Sequence, residues 1–211
     1  MLSAIYRKTK ALYSCADFVR QPTARNSFEI AEGLRDSKDL RRAVARLRED
    51  RAIDAFFRER YLRGFPDVER LIALPPGSLG HEFAKTMKAL NFSYDVFPPV
   101  QVRDDVTYYL MRGRETHDVW HLVTGFGTDV PGELGLQAFQ LAQVGVPISK
   151  VLVALGILRT ALFPEMLEPV LDAIARGWHL GQTARPFIIQ RWEEGWDRPV
   201  ASWRQELDIA A

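Results

Sequence analysis

The chain has 211 residues, 47% hydrophobic and 26% charged, with 28 Lys plus Arg against 27 Asp plus Glu. That length suits one domain with a sizeable core, and the near-zero net charge argues against a nucleic-acid binder that works through bulk charge. The single cysteine, Cys15, allows no intrachain disulfide, so the sequence gives no sign of an oxidising compartment.

The N-terminal run MLSAIYRKTKALYSCADF is not a signal peptide, because Arg7, Lys8 and Lys10 interrupt any apolar stretch. It lacks acids before Asp17, which leaves a transit peptide open, and it reads best as an amphipathic first helix over 2–18. Further helices are predicted over 27–34, 37–48 and 50–62, with Asp36, Ser37 and Asp50 as candidate caps. The basic residues Arg41, Arg42, Arg46, Arg48 and Arg51 alternate with Asp39, Glu49, Asp50 and Asp54, as on a solvated helix face. Pro66 and the run Leu74-Pro75-Pro76-Gly77-Ser78 punctuate the chain, and Leu79 to Leu90 reads as a helix. Residues 92–103, with Pro98 and Pro99, read as extended or irregular.

A long helix is predicted from Asp104 or Asp105 to about Thr124, stopped by Gly125 and Gly127. Thr128 or Asp129 then caps a helix that tolerates Pro131 in its first turn and ends near Gly145. Pro147 opens another helix to about Leu162, and Pro164 one that ends at Gly181. The tail from Pro186 to Asp208, with Trp192, Trp196 and Trp203, reads as one or two packed helices. Leu134 to Ser149 carries no charge, and the apolar run Val151 to Leu158 follows between Lys150 and Arg159. Gly145 and Pro147 break this region below the length of a membrane span, leaving buried helices or helices that touch lipid. The strand signal is poor, so the expected fold is all-α, a single compact multi-helix domain over 1–211.

His117, Asp118, His121 and Glu133 form the most chemically specific pattern. At about 100 degrees per residue, His121 falls about 40 degrees from His117 and Asp118 about 100 degrees. Imidazoles four residues apart can grip one ion. Glu133 lies in the first turn of the next helix, and the glycine-containing turn 125–132 can return it to the same place. The donor set suits zinc, iron, cobalt, nickel or manganese and leaves a position open for water or substrate. Singly, each residue also fits a bland role, a core histidine or a helix N-terminal acid.

HDVWHLVTGFGTDVPGE resembles the metal motif of the coenzyme Q biosynthesis protein 4 family, and LPPGSLGHEFAKTM resembles that family's Leu-Pro-x-Gly-Ser/Thr-Leu/Phe-Gly-His segment. VTYYLMRGRETHD and the tail GWHLGQTARPFIIQRWEEGWDRPVASWRQELDI are similar as well. The resemblance runs from about residue 60 to the end and more weakly over the start. It implies a helical protein of ubiquinone biosynthesis whose metal ligands are His117, Asp118, His121 and Glu133, with zinc as the first choice of metal and iron, cobalt or manganese as alternatives. It implies removal of the C1 carboxylate of a polyprenylated 4-hydroxybenzoate, a hydroxyl then taking its place. It also implies binding of isoprenoid tails and organisation of other pathway enzymes at a membrane surface. The location implied is cytoplasmic and peripheral to the inner membrane in a bacterium, or the matrix side of the mitochondrial inner membrane in a eukaryote.

On this reading Phe139, Val151 and Leu155, with Leu141, Val144, Leu152 and Leu158, are candidates to line a tail groove, and plain core packing explains each as well. His81 is a candidate substrate contact or support for the metal ligands, or a packing residue at a helix start. Arg114 can orient an acidic substrate, pair with Asp118 or sit as a surface charge. His179 and the tail tryptophans read as structural. Lys150 and Arg159 can snorkel at a membrane surface, and the uncharged helices offer a surface for a homodimer. Two other functions compete. One is a non-catalytic isoprenoid-binding scaffold with a structural metal. The other is an HD-type phosphohydrolase built on His117-Asp118 with His81 as an earlier ligand, which leaves the spacing of His121 and Glu133 without a purpose.

Overall fold

Helix punctuation in this chain is local and chemical, and most of it matches the expectation from sequence. A computed structural model describes residues 2–91 and 100–209, with side chains from residue 5 onward. The helices are α1 (Leu2–Arg20), α2 (Ala24–Leu34), α3 (Lys38–Leu47), α4 (Arg51–Glu59), α5 (Val68–Leu71) and α6 (Leu79–Ala89). They continue with α7 (Asp105–Thr124), α8 (Val130–Val144), α9 (Pro147–Arg159), α10 (Leu167–Thr183) and α11 (Val200–Glu206). The all-α expectation holds: the described residues form no strand, only one isolated antiparallel bridge between Ser78 and Pro199. The predicted irregular stretch 92–103 lies mostly outside the described residues; 100–103 is non-helical.

Several boundaries differ from the sequence reading, for physical reasons. α2 begins earlier than residue 27, because Thr23 and Asn26 form a reciprocal capping box in which each side chain accepts the other's backbone N–H. α4 stops at Glu59, where Arg60 adopts the left-handed conformation. Asp67 caps α5, a single turn that the proline spacing concealed. Pro164–Met166 forms a 3-10 turn before α10 instead of opening the α-helix itself. Of the candidate caps, Ser37 and Asp50 accept backbone N–H groups, whereas Asp36 pairs with Arg7.

The chain divides into two compact units, each built from two segments. The first comprises Met1–Arg46 and Gly127–Gln182, and holds α1, α2, nearly all of α3, α8, α9 and α10. Phe18, Ile30 and Leu152 form a buried cluster there, with Cys15, Leu34, Ile148, Val151 and Leu155 packed against it. Glycines let α8 approach its neighbours. A Cβ on Gly177 of α10 would stand 2.0 Å from the Gly135 carbonyl oxygen, and one on Gly181 would stand 2.5 Å from that of Phe139. A Cβ on Gly156 of α9 would stand 2.3 Å from Leu134 Cδ1. The Gly177-x-x-x-Gly181 spacing of α10 therefore reflects close approach to the α8 backbone, whereas Gly156 makes room for the Leu134 side chain.

The α1–α2 pair is also fastened by charge. The Ser14 hydroxyl donates to the Glu29 carboxylate at 2.6 Å, while Lys10 and Arg25 reach it at 2.9 and 3.0 Å. The Ser14 hydrogen bond first, then the two cations, overcome partial burial and hold the Glu29 carboxyl at about 2. A folded-state pKa below the ordinary value means the contribution is present above about 4.5 and is lost as pH falls toward about 2. We expect the denaturant midpoint of the parent to fall across that window, and the Glu29→Gln variant to lose this part of the slope.

The second unit comprises Leu47–Phe126 and Thr183–Ala211, and holds α4, α5, α6, α7 and α11. Its core includes a chain of aromatic contacts: Trp120 meets Phe187 and Phe187 meets Trp192 edge to face, and Trp192 meets Trp203 at a tilt, at ring-centroid distances of 5.7, 5.3 and 4.8 Å. The tail clasps the start of α6, where Leu79 N–H donates to Arg198 O and Gly80 N–H to Trp196 O. This gives the Leu-Pro-Pro-Gly-Ser-Leu-Gly-His segment a physical reading. Gly77 turns at φ +84°, Ser78 caps α6, and a Cβ on Gly80 would stand 2.6 Å from Leu74 Cδ1.

Candidate metal centre

α7 carries the two imidazoles. Asp104 caps its start reciprocally with Thr107, and Gly125 ends it at φ 74° in the left-handed region, where glycine carries no Cβ penalty. At its C-terminal end the Arg204 guanidinium of α11 donates to the carbonyls of Val123 and Leu122, both at 2.9 Å. A cation thereby satisfies acceptors that the helix itself leaves open, and fixes the turn that follows His121.

His121 is buried, and its Nδ1 lies 3.1 Å from the Phe126 carbonyl oxygen. A carbonyl only accepts, so Nδ1 carries the proton and Nε2 presents a lone pair. That lone pair faces the Nε2 of His117 at 3.2 Å, with the two rings edge to face. Two nitrogens bound to one tetrahedral ion at 2.0–2.1 Å stand about 3.3 Å apart. The separation of the imidazoles fits a shared ion, and the pinned Nδ1–H is the usual support for a ligating histidine.

The next helix places the carboxylate. Asp129 caps α8 by accepting from Gly132 N–H at 2.9 Å, and Pro131 sits in the first turn. A Cβ on Gly132 would stand 2.2 Å from the Gly127 carbonyl oxygen, so only glycine lets this turn fold so tightly over the start of α8. Glu133 follows directly, its backbone N–H donating to Asp129 O. One ligand atom from each of His117, His121 and Glu133 lies within 4.8 Å of the others. Asp118, about 100 degrees around α7, is not one of this group.

The other candidates have varied settings. His81 lies in the first turn of α6, with Nδ1 3.0 Å from both the Ile72 and Leu74 carbonyls, so one ring nitrogen staples the preceding loop. Arg114 is half-buried on α7. Phe139 is wholly buried in α8, while Val151 and Leu155 pack against the Phe18–Ile30–Leu152 cluster. Arg112, to which the sequence assigns no particular role, is fully buried and is ion-paired with Glu193 and with Glu115. The Glu115 carboxyl is pushed up by burial, against the Gly64 N–H bond it accepts. Arg112 and Glu115 share α7 at i, i+3, the one trace of the pair in the sequence.

Two helices joined by a glycine turn, offering two imidazoles and a carboxylate, define an all-α protein with a candidate divalent-metal centre. The family model described as coenzyme Q (ubiquinone) biosynthesis protein Coq4 matches residues 38–211. The chain belongs to that family, whose members serve ubiquinone biosynthesis. It is 32% identical over 151 residues to the mitochondrial ubiquinone biosynthesis protein COQ4 of Eremothecium gossypii, covering 68% of this chain and 45% of that protein. It is 29% identical over 152 residues to the mitochondrial COQ4 homolog of Rattus norvegicus, covering 68% of this chain and 55% of that protein. The chain thus spans about half the length of the curated relatives it matches. A crystal structure from Nostoc punctiforme PCC 73102, described as a candidate ubiquinone biosynthesis protein, aligns with a TM-score of 0.85 and 34% identity. That alignment covers 96% of this chain and 98% of the other.

Proposed function

We propose that this chain is a metal-dependent ubiquinone-biosynthesis protein that removes the C1 carboxylate of a polyprenylated 4-hydroxybenzoate as carbon dioxide, with a hydroxyl taking its place and O2 serving as the oxidant. The observation that carries the reading is the Nε2–Nε2 separation of 3.2 Å between His117 and His121, with the Nδ1 of His121 committed to Phe126. His117, His121 and Glu133 hold the ion in this proposal, and Asp118 is the fourth ligand that the family motif supplies. A bound divalent ion supplies Lewis acidity to an aromatic acid and, if it is redox-active, the capacity to activate oxygen. Zinc is the first choice, with iron, cobalt and manganese as alternatives.

The chain's own part is to orient and desolvate. The Phe126 carbonyl holds the Nδ1–H side of His121, so Nε2 is the nitrogen turned toward the proposed ion. His81 and Arg114 are proposed substrate contacts, Arg114 for an acidic group. Phe139, Val151 and Leu155 are proposed to line the path of the polyprenyl tail, which requires the tail to enter beside the α1–α2–α9 core. No helix among the described residues is long and apolar enough to cross a membrane. The proposed location is a membrane surface, the bacterial inner membrane or the matrix side of the mitochondrial one, among other enzymes of the pathway.

The second reading is a non-catalytic isoprenoid-binding scaffold for those enzymes. It draws on the outward apolar side chains of α1, where Leu12 and Tyr13 are each 73% exposed. Turnover separates the two. Purified metal-loaded protein given a prenylated 4-hydroxybenzoate and oxygen is expected to release carbon dioxide catalytically. Binding of the compound without release leaves only the scaffold.

A further inference from the structure

His121 stands in the last turn of α7, where the final carbonyls of a helix have no N–H of their own helix to accept. Those of Leu122 and Val123 are taken by one side chain from the C-terminal tail: Arg204 Nη2 donates to Leu122 and Nε to Val123, both at 2.9 Å. His121 O accepts from Gly125 N–H at 2.9 Å, and Phe126 O lies 3.1 Å from His121 Nδ1. The two carbonyls that Arg204 grips therefore lie along the chain between the imidazole's own backbone and the carbonyl that fixes its ring. Arg204 is itself seated. Its backbone carbonyl accepts from Ile209 N–H at 2.9 Å. Its neighbour Trp203 is buried against Trp192, and that row continues through Phe187 to Trp120, the residue before His121. A guanidinium offers donors in one rigid plane and holds two carbonyls in register, which an ammonium on a flexible stem does not.

We propose that Arg204 is a positioning residue of the metal centre: by holding the Leu122 and Val123 carbonyls it keeps the Phe126 carbonyl against His121 Nδ1, and so aims His121 Nε2 at the ion. The inference rests on the metal-centre reading above and adds the C-terminal tail as an element that sets the affinity of the centre. Without the Phe126 carbonyl in place, the imidazole proton is no longer confined to Nδ1 and can occupy the nitrogen that must face the ion. Charge alone predicts the opposite sign, because a guanidinium repels a dication and its removal would then tighten metal binding.

The test measures Co2+ affinity of the full chain in the parent, Arg204→Met, Arg204→Lys and Arg198→Met. Arg198 stacks on the Trp203 ring at 4.0 Å and pairs with Glu206 in the same tail, so its loss loosens the tail without removing a donor from α7. Arg204→Met is expected to weaken Co2+ binding about 10-fold, the low end for losing a group that supports a metal ligand, and Arg204→Lys about threefold. Arg198→Met is expected to lower the melting temperature and leave Co2+ affinity close to that of the parent. Nuclear magnetic resonance of the metal-free chain with isotope-labelled histidine, at about pH 8 where a free imidazole is neutral, reads the His121 tautomer directly. The proton is expected on Nδ1 in the parent and Arg198→Met, and shared between the two nitrogens in Arg204→Met. Unchanged or tighter Co2+ binding in the Arg204 variants, an unmoved tautomer, or an equal loss in Arg198→Met overturns the inference. Should Arg204→Met fail to fold, Arg204→Lys against the parent carries the same comparison. Failure of the parent to bind Co2+ overturns the metal-centre reading instead, and the tautomer comparison still decides whether Arg204 positions His121.

Discussion

The His117→Ala variant is expected to lose its metal and keep its fold. His117 is half-buried on the face of a 20-residue helix whose ends are fixed by Asp104, Gly125 and Arg204, none of which it touches in those roles. Far-ultraviolet circular dichroism should therefore match the parent closely. Metal content should fall from about one ion per chain to a small fraction, because the site loses one of its two imidazole ligands. Carbon dioxide release from a prenylated hydroxybenzoate should drop by about 10³-fold or more if the ion stabilises charge in the reaction. A variant that keeps both metal and turnover contradicts the ligand assignment, whereas one that keeps metal but loses turnover moves His117 to a different role.

The second large effect is on stability. Arg112 is fully buried in the second unit; it is ion-paired with Glu193, donates to the Gln190 carbonyl and lies 5.3 Å from the Tyr61 ring centroid. Arg112→Ala leaves Glu193 and Glu115 in low-dielectric surroundings without their cation, a type of change that costs about 3–5 kcal/mol. A chain of this size then melts about 10 °C lower or more. The triple variant Arg112→Met, Glu115→Leu, Glu193→Leu removes all the charges together and should recover most of that loss, since an apolar replacement of similar volume competes well with a buried ion pair. Equal destabilisation of the single and triple variants shows that side-chain volume, not charge pairing, is what Arg112 provides.

The two cases show what the sequence discloses. The stretch of chain from α7 to α8 is legible almost to the residue, because Asp104, Gly125, Asp129, Pro131 and Gly145 each act on their own neighbours. The His117–His121 pairing is legible for the same reason: it depends on helical phase alone. The tautomer of His121 is not, because it is set by where the Phe126 carbonyl falls in the turn. The burial of Arg112 is not either, because Glu193 is 81 residues away along the chain. Val151 and Leu155 stand out in the sequence for apolarity, which does not say whether a side chain meets a ligand or the Phe18–Ile30 cluster. The start of α2 is not legible because its capping box uses Asn26 where Glu or Gln is the usual signal.

Anomalous diffraction from crystals of the protein soaked in Zn2+ or Co2+ addresses the shared ion most directly. The account predicts one peak within about 2.0–2.2 Å of His117 Nε2, His121 Nε2 and a Glu133 carboxylate oxygen. No peak among these three side chains, or a single peak bound elsewhere on the chain, contradicts it.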